Sequence, residues 1–369
     1  MWAEPVSPTL DFSPVCGAGA CVHSRRGFLK AFGALGLAGA VASTPGFAQS
    51  AIPTLAATRR IDVHHHVYPP EWFAAKRDFI LNSSDNPPAI MTQWTPARAI
   101  EQMDKNGIAT GIASVGNPGV WFGDVAEARR LSRLANEGMA KIASDHPGRF
   151  GVFAALALPD VEGSLKEIEY AFDTLNVDGV HLLTSYGDKW PGDAAFDPVF
   201  AELNRRKAIV FIHPTGPDCC SVLNTGAPPS IMELPFDEAR AIGSLVFNGT
   251  IAKYREIRFI FTHAGGPMPV LSARMEQLMR RPTIAERNPD GILATLRTLY
   301  FDVANSTVSP PAMAALLAFA KPDHIFFGTD YPYVDMEKTV GGLDHLGLSA
   351  ETLIAVNRGN AVKLFPKFG

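Results

Sequence analysis

Ile61-Asp62-Val63-His64-His65-His66 reads as a β-strand that ends in imidazoles. Side chains alternate along a strand, so His64 and His66 share one face, roughly 7 Å apart, while His65 takes the other. Two ring nitrogens so placed can converge on one metal ion. Three later stretches can complete such a site: Phe211-Ile212-His213, Phe261-Thr262-His263 and Gly328-Thr329-Asp330. The rest of the chain then reads as the scaffold that brings four strand ends together.

Outward from that strand the pattern alternates. Strand one spans Arg60 to His66, and a long loop rich in aromatics and prolines follows from Tyr68 through Trp94. Thr95-Pro96 opens a helix, as N-cap and first-turn proline. Further strands are predicted at Thr110 to Val115, Phe150 to Leu156, Gly179 to Leu183, Ala208 to His213, Arg258 to His263, Leu299 to Val303 and His324 to Gly328, with helices between them. Eight strands alternating with about eight helices predict an α/β fold, specifically a (β/α)8 TIM barrel. A doubly wound open sheet would place a glycine-rich phosphate turn after the first strand, where this chain has histidines. His66, His213, His263 and Asp330 all fall at or just after the carboxyl end of a strand, the face on which barrel enzymes build their sites.

The composition is that of an ordinary globular protein, 47% hydrophobic and 19% charged over 369 residues. A net charge of −4, with no basic patch interleaved with aromatics, argues against a nucleic-acid surface. The amino-terminal apolar run belongs to a different function. Ser24-Arg25-Arg26-Gly27-Phe28-Leu29-Lys30 is a twin-arginine export signature, followed by a small-residue apolar segment and a cleavage-like Thr44-Pro45-Gly46-Phe47-Ala48. The expected organisation is a signal peptide over 1–48, a linker over 49–58 and one barrel domain over 59–369. The expected destination is the periplasm or another exported location, with the twin-arginine machinery as partner and no membrane span in the mature chain. Cys16 and Cys21 leave with the signal, and adjacent Cys219 and Cys220 rarely bridge each other, so no disulfide framework is expected.

Three neutral imidazoles and a carboxylate suit one divalent transition metal, zinc first, with manganese or iron as alternatives if the geometry opens. Calcium or magnesium would want more oxygen. These motifs, with Val210-Phe211-Ile212-His213-Pro214, Phe261-Thr262-His263-Ala264-Gly265-Gly266 and Phe327-Gly328-Thr329-Asp330-Tyr331-Pro332, resemble the amidohydrolase superfamily. The finer resemblance is to its decarboxylase-like branch, similar to aminocarboxymuconate-semialdehyde, γ-resorcylate and 6-methylsalicylate decarboxylases, and covers about Arg59 to Phe365. It implies that His64, His66, His213 and Asp330 are metal ligands, and that His263, with Asp330, is catalytic. The superfamily's binuclear hydrolases carry a carboxylated lysine at the end of strand four. Gly179-Val180-His181-Leu182-Leu183-Thr184 has none, which favours a single metal and leaves His181 either a core histidine or a pocket residue.

The expected function is a metal-dependent, non-oxidative decarboxylase of an aromatic or unsaturated carboxylic acid. The enzyme alternative is a hydrolase, lactonase or hydratase acting on a small carboxylated ring compound, and the non-catalytic alternative is an exported metal- or ligand-binding barrel. Tyr186 and Trp190, in a βα loop, are candidates to stack against an aromatic acid. Arg240 is a candidate for the substrate carboxylate, or for an ion pair with Asp237 or Glu238. Homodimers are common in the resembling family, so the resemblance allows one here.

Overall fold

The computed structural model describes residues 59–82, 86–217, 220, 226–306 and 309–369. The expected signal peptide, the linker and Cys219 lie outside these residues. Eight strands form one parallel sheet in the order of the sequence: β1 (Arg60–Val67), β2 (Ile108–Val115), β3 (Phe150–Ala155), β4 (Gly179–Leu183), β5 (Ile209–His213), β6 (Arg258–Phe261), β7 (Tyr300–Asp302) and β8 (Ile325–Phe326). Helices follow the strands and cover the outside, as a parallel sheet of near-continuous apolar runs requires. No helix among the described residues is long and apolar enough to cross a membrane.

Closure between β8 and β1 is made mostly by irregular backbone beyond the short β8. Val63 N–H donates to Phe327 O (3.0 Å), Asp330 N–H to His64 O (2.9 Å) and His66 N–H to Tyr331 O (2.7 Å). The segment that carries Asp330 is thereby bonded directly to the strand that carries His64 and His66.

The barrel interior is filled by Ile61, Val63, Ile112, Phe153, Ile209, Phe211, Ile260 and Phe326, and Ala361 and Phe365 of the carboxyl-terminal segment pack into the same cluster. Phe153 and Phe211 stack at 5.1 Å. This packed layer is the floor on which the histidines stand: the His64 ring lies 5.3 Å from that of Phe211. Strict alternation from Ile61 and Val63 would turn His64 and His66 away from this interior. Strand β1 avoids that with a bulge. Asp62 pairs with Gly111 and His65 with Ala113, so a step of three residues on β1 matches a step of two on β2. Asp62 Oδ1 accepts the His64 N–H (3.1 Å) within the bulge, and its Oδ2 lies 3.1 Å from His65 Nδ1.

The proline-rich stretch after β1 contains two helices rather than a continuous loop, Pro70–Asn82 and Pro88–Thr92. Each begins on a proline, whose missing N–H costs nothing in the first turn and whose fixed φ suits a helix start. Elsewhere the cap signals hold. Thr95 accepts from Arg98 N–H, and Asp124 from Glu127 N–H at the head of Val125–Asp145.

Candidate metal centre

Five site residues meet at the carboxyl ends of the strands. His64 Nε2 lies 3.1 Å from His66 Nε2 and 3.2 Å from Asp330 Oδ1, and His66 Nε2 is also 3.2 Å from Asp330 Oδ1. His213 Nε2 is 4.0 Å from the same oxygen, and His263 Nε2 is 3.3 Å from Asp330 Oδ2. One ligand atom from each of His64, His213, His263 and Asp330 falls within 4.8 Å of the others, a three-histidine, one-aspartate group able to hold a metal ion. His66 adjoins that group through its contacts to His64 and Asp330.

The far side of each buried ring is occupied. His213 Nδ1 is 2.9 Å from Pro214 O, a group that only accepts, so Nδ1 carries the hydrogen and Nε2 presents a lone pair. His66 Nδ1 is 3.1 Å from Ser114 Oγ, and His64 Nδ1 is 2.9 Å from Asp302 Oδ2. His213 Nε2 and Asp330 Oδ1 are buried without a hydrogen-bond partner. Lone pairs pressed together on buried atoms call for a cation among them.

The electrostatics agree. Burial drives the His66 imidazole down to about 4 and His213 well below the ordinary range, so neither offers a positive charge. Burial acts the same way on His64, but Asp302 and Asp330 outweigh it and raise that ring to about 10. Burial pushes Asp330 upward, yet His64 and the hydrogen bond from His263 hold it well below the carboxylate range. Two carboxylates, Asp302 and Asp330, thus flank His64 and call for positive charge between them. A divalent ion fits this donor set and charge.

His263 is built differently from the ligands around it. It follows β6 in a tight turn, with φ of 47° at His263 and 59° at Ala264, followed by Gly265 and Gly266, also at positive φ. Sparsely populated backbone of this kind needs outside support. Glu238 accepts from Thr262 N (2.8 Å) and Thr262 Oγ1 (3.0 Å), and Asp302 Oδ1 accepts from His263 N (3.1 Å). The His263 side chain keeps 14% exposure, against 0% for His64 and His66 and 4% for His213. It is the histidine of this cluster that incoming substrate can reach.

The three substrate-binding candidates rest on partners other than the five residues of this centre. The Tyr186 hydroxyl accepts from Leu183 N (2.8 Å), and its ring packs on Phe196. Trp190 Nε1 donates to Asp237 (2.8 Å), and the Arg240 guanidinium lies 3.6 Å from the same carboxylate. Trp190 and Arg240 line a cleft of about 910 Å³ between the helices Glu233–Phe247 and Met268–Glu276, which none of the five metal-centre residues lines. Asp237 also accepts from Ser185 Oγ (3.0 Å) and Thr184 Oγ1, so it ties the loop after β4 to the helix after β5.

His181 is buried in β4, its ring 6.2 Å from His213, its Nε2 without a partner and its imidazole driven down to about 3, chiefly by burial. It lies outside the metal-holding group. Cys220 is buried. Sequence reasoning gave no role in the site to Asp62, Glu238 and Asp302, all fully buried. For Asp62 and Asp302 the available signal was an acidic side chain inside an apolar stretch, which must find partners once buried.

A family profile described as Amidohydrolase matches residues 61–367. The chain is 37% identical over 319 residues to a 6-methylsalicylic acid decarboxylase of Penicillium expansum, covering 84% of this chain and 96% of that protein. Its fold matches 5-carboxyvanillate decarboxylase of Sphingomonas paucimobilis at TM-score 0.75 and 20% identity, covering 84% of this chain and 99% of the other. It also matches a dihydroxybenzoic acid decarboxylase of a Polaromonas species, solved with manganese and 2-nitroresorcinol, at TM-score 0.70 and 20% identity, covering 83% and 96%. With its eight-stranded barrel and its histidines and aspartate at the strand ends, the chain belongs to the amidohydrolase family.

Proposed function

We propose that the protein is a metal-dependent, non-oxidative decarboxylase, a carboxy-lyase acting on an aromatic or unsaturated carboxylic acid. The observation that carries this reading is the division among the histidines. His66 and His213 are buried with their outer nitrogens hydrogen-bonded and His64 is buried with Nδ1 against Asp302, whereas His263 is the one left reachable, 3.3 Å from Asp330. The relatives' activity on 6-methylsalicylic acid supports the substrate class. His64, His66, His213 and Asp330 are the proposed ligands of one divalent ion, zinc first; His66 enters through its contacts to His64 and Asp330, and His263, which shares the metal-holding group with the other three, is assigned to the proton. Manganese is the alternative, supported by the neighbour solved with that ion.

Held by His64, His66, His213 and Asp330, a divalent ion would supply Lewis-acid charge beside the substrate. His263 Nε2 then delivers a proton to the ring carbon that bears the carboxylate, while Asp330 Oδ2 orients the imidazole. The new C–H bond forms, the C–C bond to the carboxylate breaks, its electron pair returns to the ring, and carbon dioxide leaves. Asn305 Nδ2 donates to the same Asp330 oxygen (3.1 Å) and fixes it in place. Export through the twin-arginine pathway to the periplasm is part of this proposal and rests on Ser24 to Lys30. A homodimer is the assembly proposed from the family resemblance, to be checked by sedimentation of the mature chain.

The test is a panel of hydroxybenzoates and carboxymuconate-like acids given to the mature, metal-loaded chain, with carbon dioxide release followed beside ester and lactone hydrolysis. Release that falls ~100-fold or more in His263→Gln, with metal retained, is the expected result for loss of a general acid. Hydrolysis without carbon dioxide would instead establish the hydrolase reading, which the same ligands serve. Neither activity in the loaded protein would sink both.

A further inference from the structure

Asp302 closes β7 and is fully buried. Its two oxygens do separate work. Oδ1 accepts from the backbone of His263 (3.1 Å) and of Ala304 (2.9 Å). Oδ2 lies 2.9 Å from His64 Nδ1. The approach is close but not ideally aligned, and neither atom has another hydrogen-bond partner, so each is left to the other. Gly328 makes the approach possible: a Cβ there would stand 2.9 Å from both Asp302 Cβ and His64 Cβ.

We propose that Asp302 is a positioning residue that holds the hydrogen of His64 on Nδ1, so that Nε2 is bare toward the metal, while the same carboxylate fixes the turn that carries His263. Counting donors shows why a carboxylate is required. His263 N–H and Ala304 N–H donate to Asp302, His64 Nδ1 faces it at 2.9 Å, and no acceptor does. An ionised carboxylate offers only acceptors; an asparagine offers one oxygen and one NH2 group. If asparagine keeps its oxygen on the two backbone donors, its NH2 faces His64 Nδ1 and drives the hydrogen onto Nε2, where a ligand needs a lone pair. If it flips, both bonds that hold the His263 turn are lost. Partners behind a metal-bound imidazole set its tautomer and basicity in this way.

The proposal rests on the metal-centre reading, and the experiment separates the two. Zinc and manganese affinities are measured by chelator competition for the unaltered protein, His213→Ala and Asp302→Asn. Asp302→Asn should bind ~10- to 100-fold more weakly, the usual cost of losing such a partner, with unchanged far-UV circular dichroism. A purely structural Asp302 would leave affinity within twofold, because the backbone bonds survive with the amide oxygen; that result overturns the proposal. If His213→Ala also binds as the unaltered protein does, the metal-centre reading itself has failed. A second measurement does not require the variant to fold. In the zinc-loaded, [15N]histidine-labelled protein, His64 should show an exchange-protected proton on Nδ1 and none on Nε2. A proton on Nε2, or no protected Nδ1 proton, overturns the proposal.

Discussion

Gly328→Ala should damage this protein far more than its size suggests. The added methyl would sit 2.9 Å from His64 Cβ, 2.9 Å from Asp302 Cβ and 3.0 Å from Asp302 Cγ. Ordinary carbon contacts lie near 3.5–4.0 Å, so each overlap is about 0.5 Å or more. None of the three atoms is the far end of a flexible side chain. All sit at or next to the roots of residues on β1 and β7, where relief means moving strands. Overpacking of this kind costs about 1–3 kcal/mol, and here it is relieved by parting His64 from Asp302. Two readouts follow. Urea unfolding of chelator-treated protein should give that loss free of the stabilisation a bound metal adds. Zinc affinity should fall at least tenfold, about 1.4 kcal/mol, as the pairing behind His64 opens. Gly341 supplies the control. It lies in the helix Met336–His345, and a methyl added there would meet nothing within 4 Å, so Gly341→Ala should stabilise by ~0.5–1 kcal/mol through helix propensity. A Gly328→Ala protein within ~0.5 kcal/mol of the parent, below the overpacking range, with unaltered zinc affinity, would refute the claim that β1, β7 and β8 meet this closely.

Three further outcomes can be measured. His181 is held neutral when folded, at about 3 against an ordinary 6.5, so the unfolded chain takes up a proton below pH 6.5 that the folded chain refuses. Its contribution to stability is level well above pH 6.5 and falls toward pH 3, by about 1.6 kcal/mol between pH 6.5 and 5, and His181→Gln should remove that share of the pH dependence in denaturant titrations. Asp237→Ala should cost ~2–4 kcal/mol, because it strands the buried hydroxyls of Thr184 and Ser185 and frees Trp190, seen as a shift in tryptophan fluorescence; an unshifted spectrum and unchanged midpoint would contradict it. Stripping the metal should lower the thermal midpoint and make it zinc-dependent, with ~4 kcal/mol regained at a thousandfold excess over Kd, and a midpoint indifferent to zinc would count against the centre.

The barrel and its face were legible because strand ends are where sequence pattern and chemistry coincide. His213 closes an apolar run, and His64 and His66 close another. What pattern could not show is the bulge. Period-two reading of β1 puts Ile61, Val63 and His65 on one face, yet Ile61 and Val63 pack in the interior below His64. Only the unequal steps against β2 resolve this, and they depend on a partner strand more than forty residues away. Arg240 fell between its two readings for a similar reason: its place early in the helix after β5 is compatible with either, and the burial of Asp237 decides where its guanidinium rests. The prolines at 70 and 88 marked helix starts as well as irregular chain, and composition alone does not separate the two.

The three acids to which sequence reading gave no role in the site share one task. Asp330 has φ of 63° and His263 has φ of 47°, so both residues of the 3.3 Å contact sit in left-handed backbone without being glycine. Such positions cost about 1–3 kcal/mol each unless the surroundings hold them. Asp62 accepts from Thr329 N (2.9 Å) and Thr329 Oγ1 (2.6 Å), immediately before Asp330. Glu238 accepts from both donors of Thr262, immediately before His263, and Asp302 accepts from His263 itself. Each turn that presents a chemical side chain is thus gripped by a buried carboxylate from another element. Hydrogen bonds to charged groups are worth ~1.5–3 kcal/mol apiece, enough to offset the strain. The position of Asp330 and His263 therefore depends on residues with no chemistry of their own to perform, which is why the site cannot be transplanted as five residues.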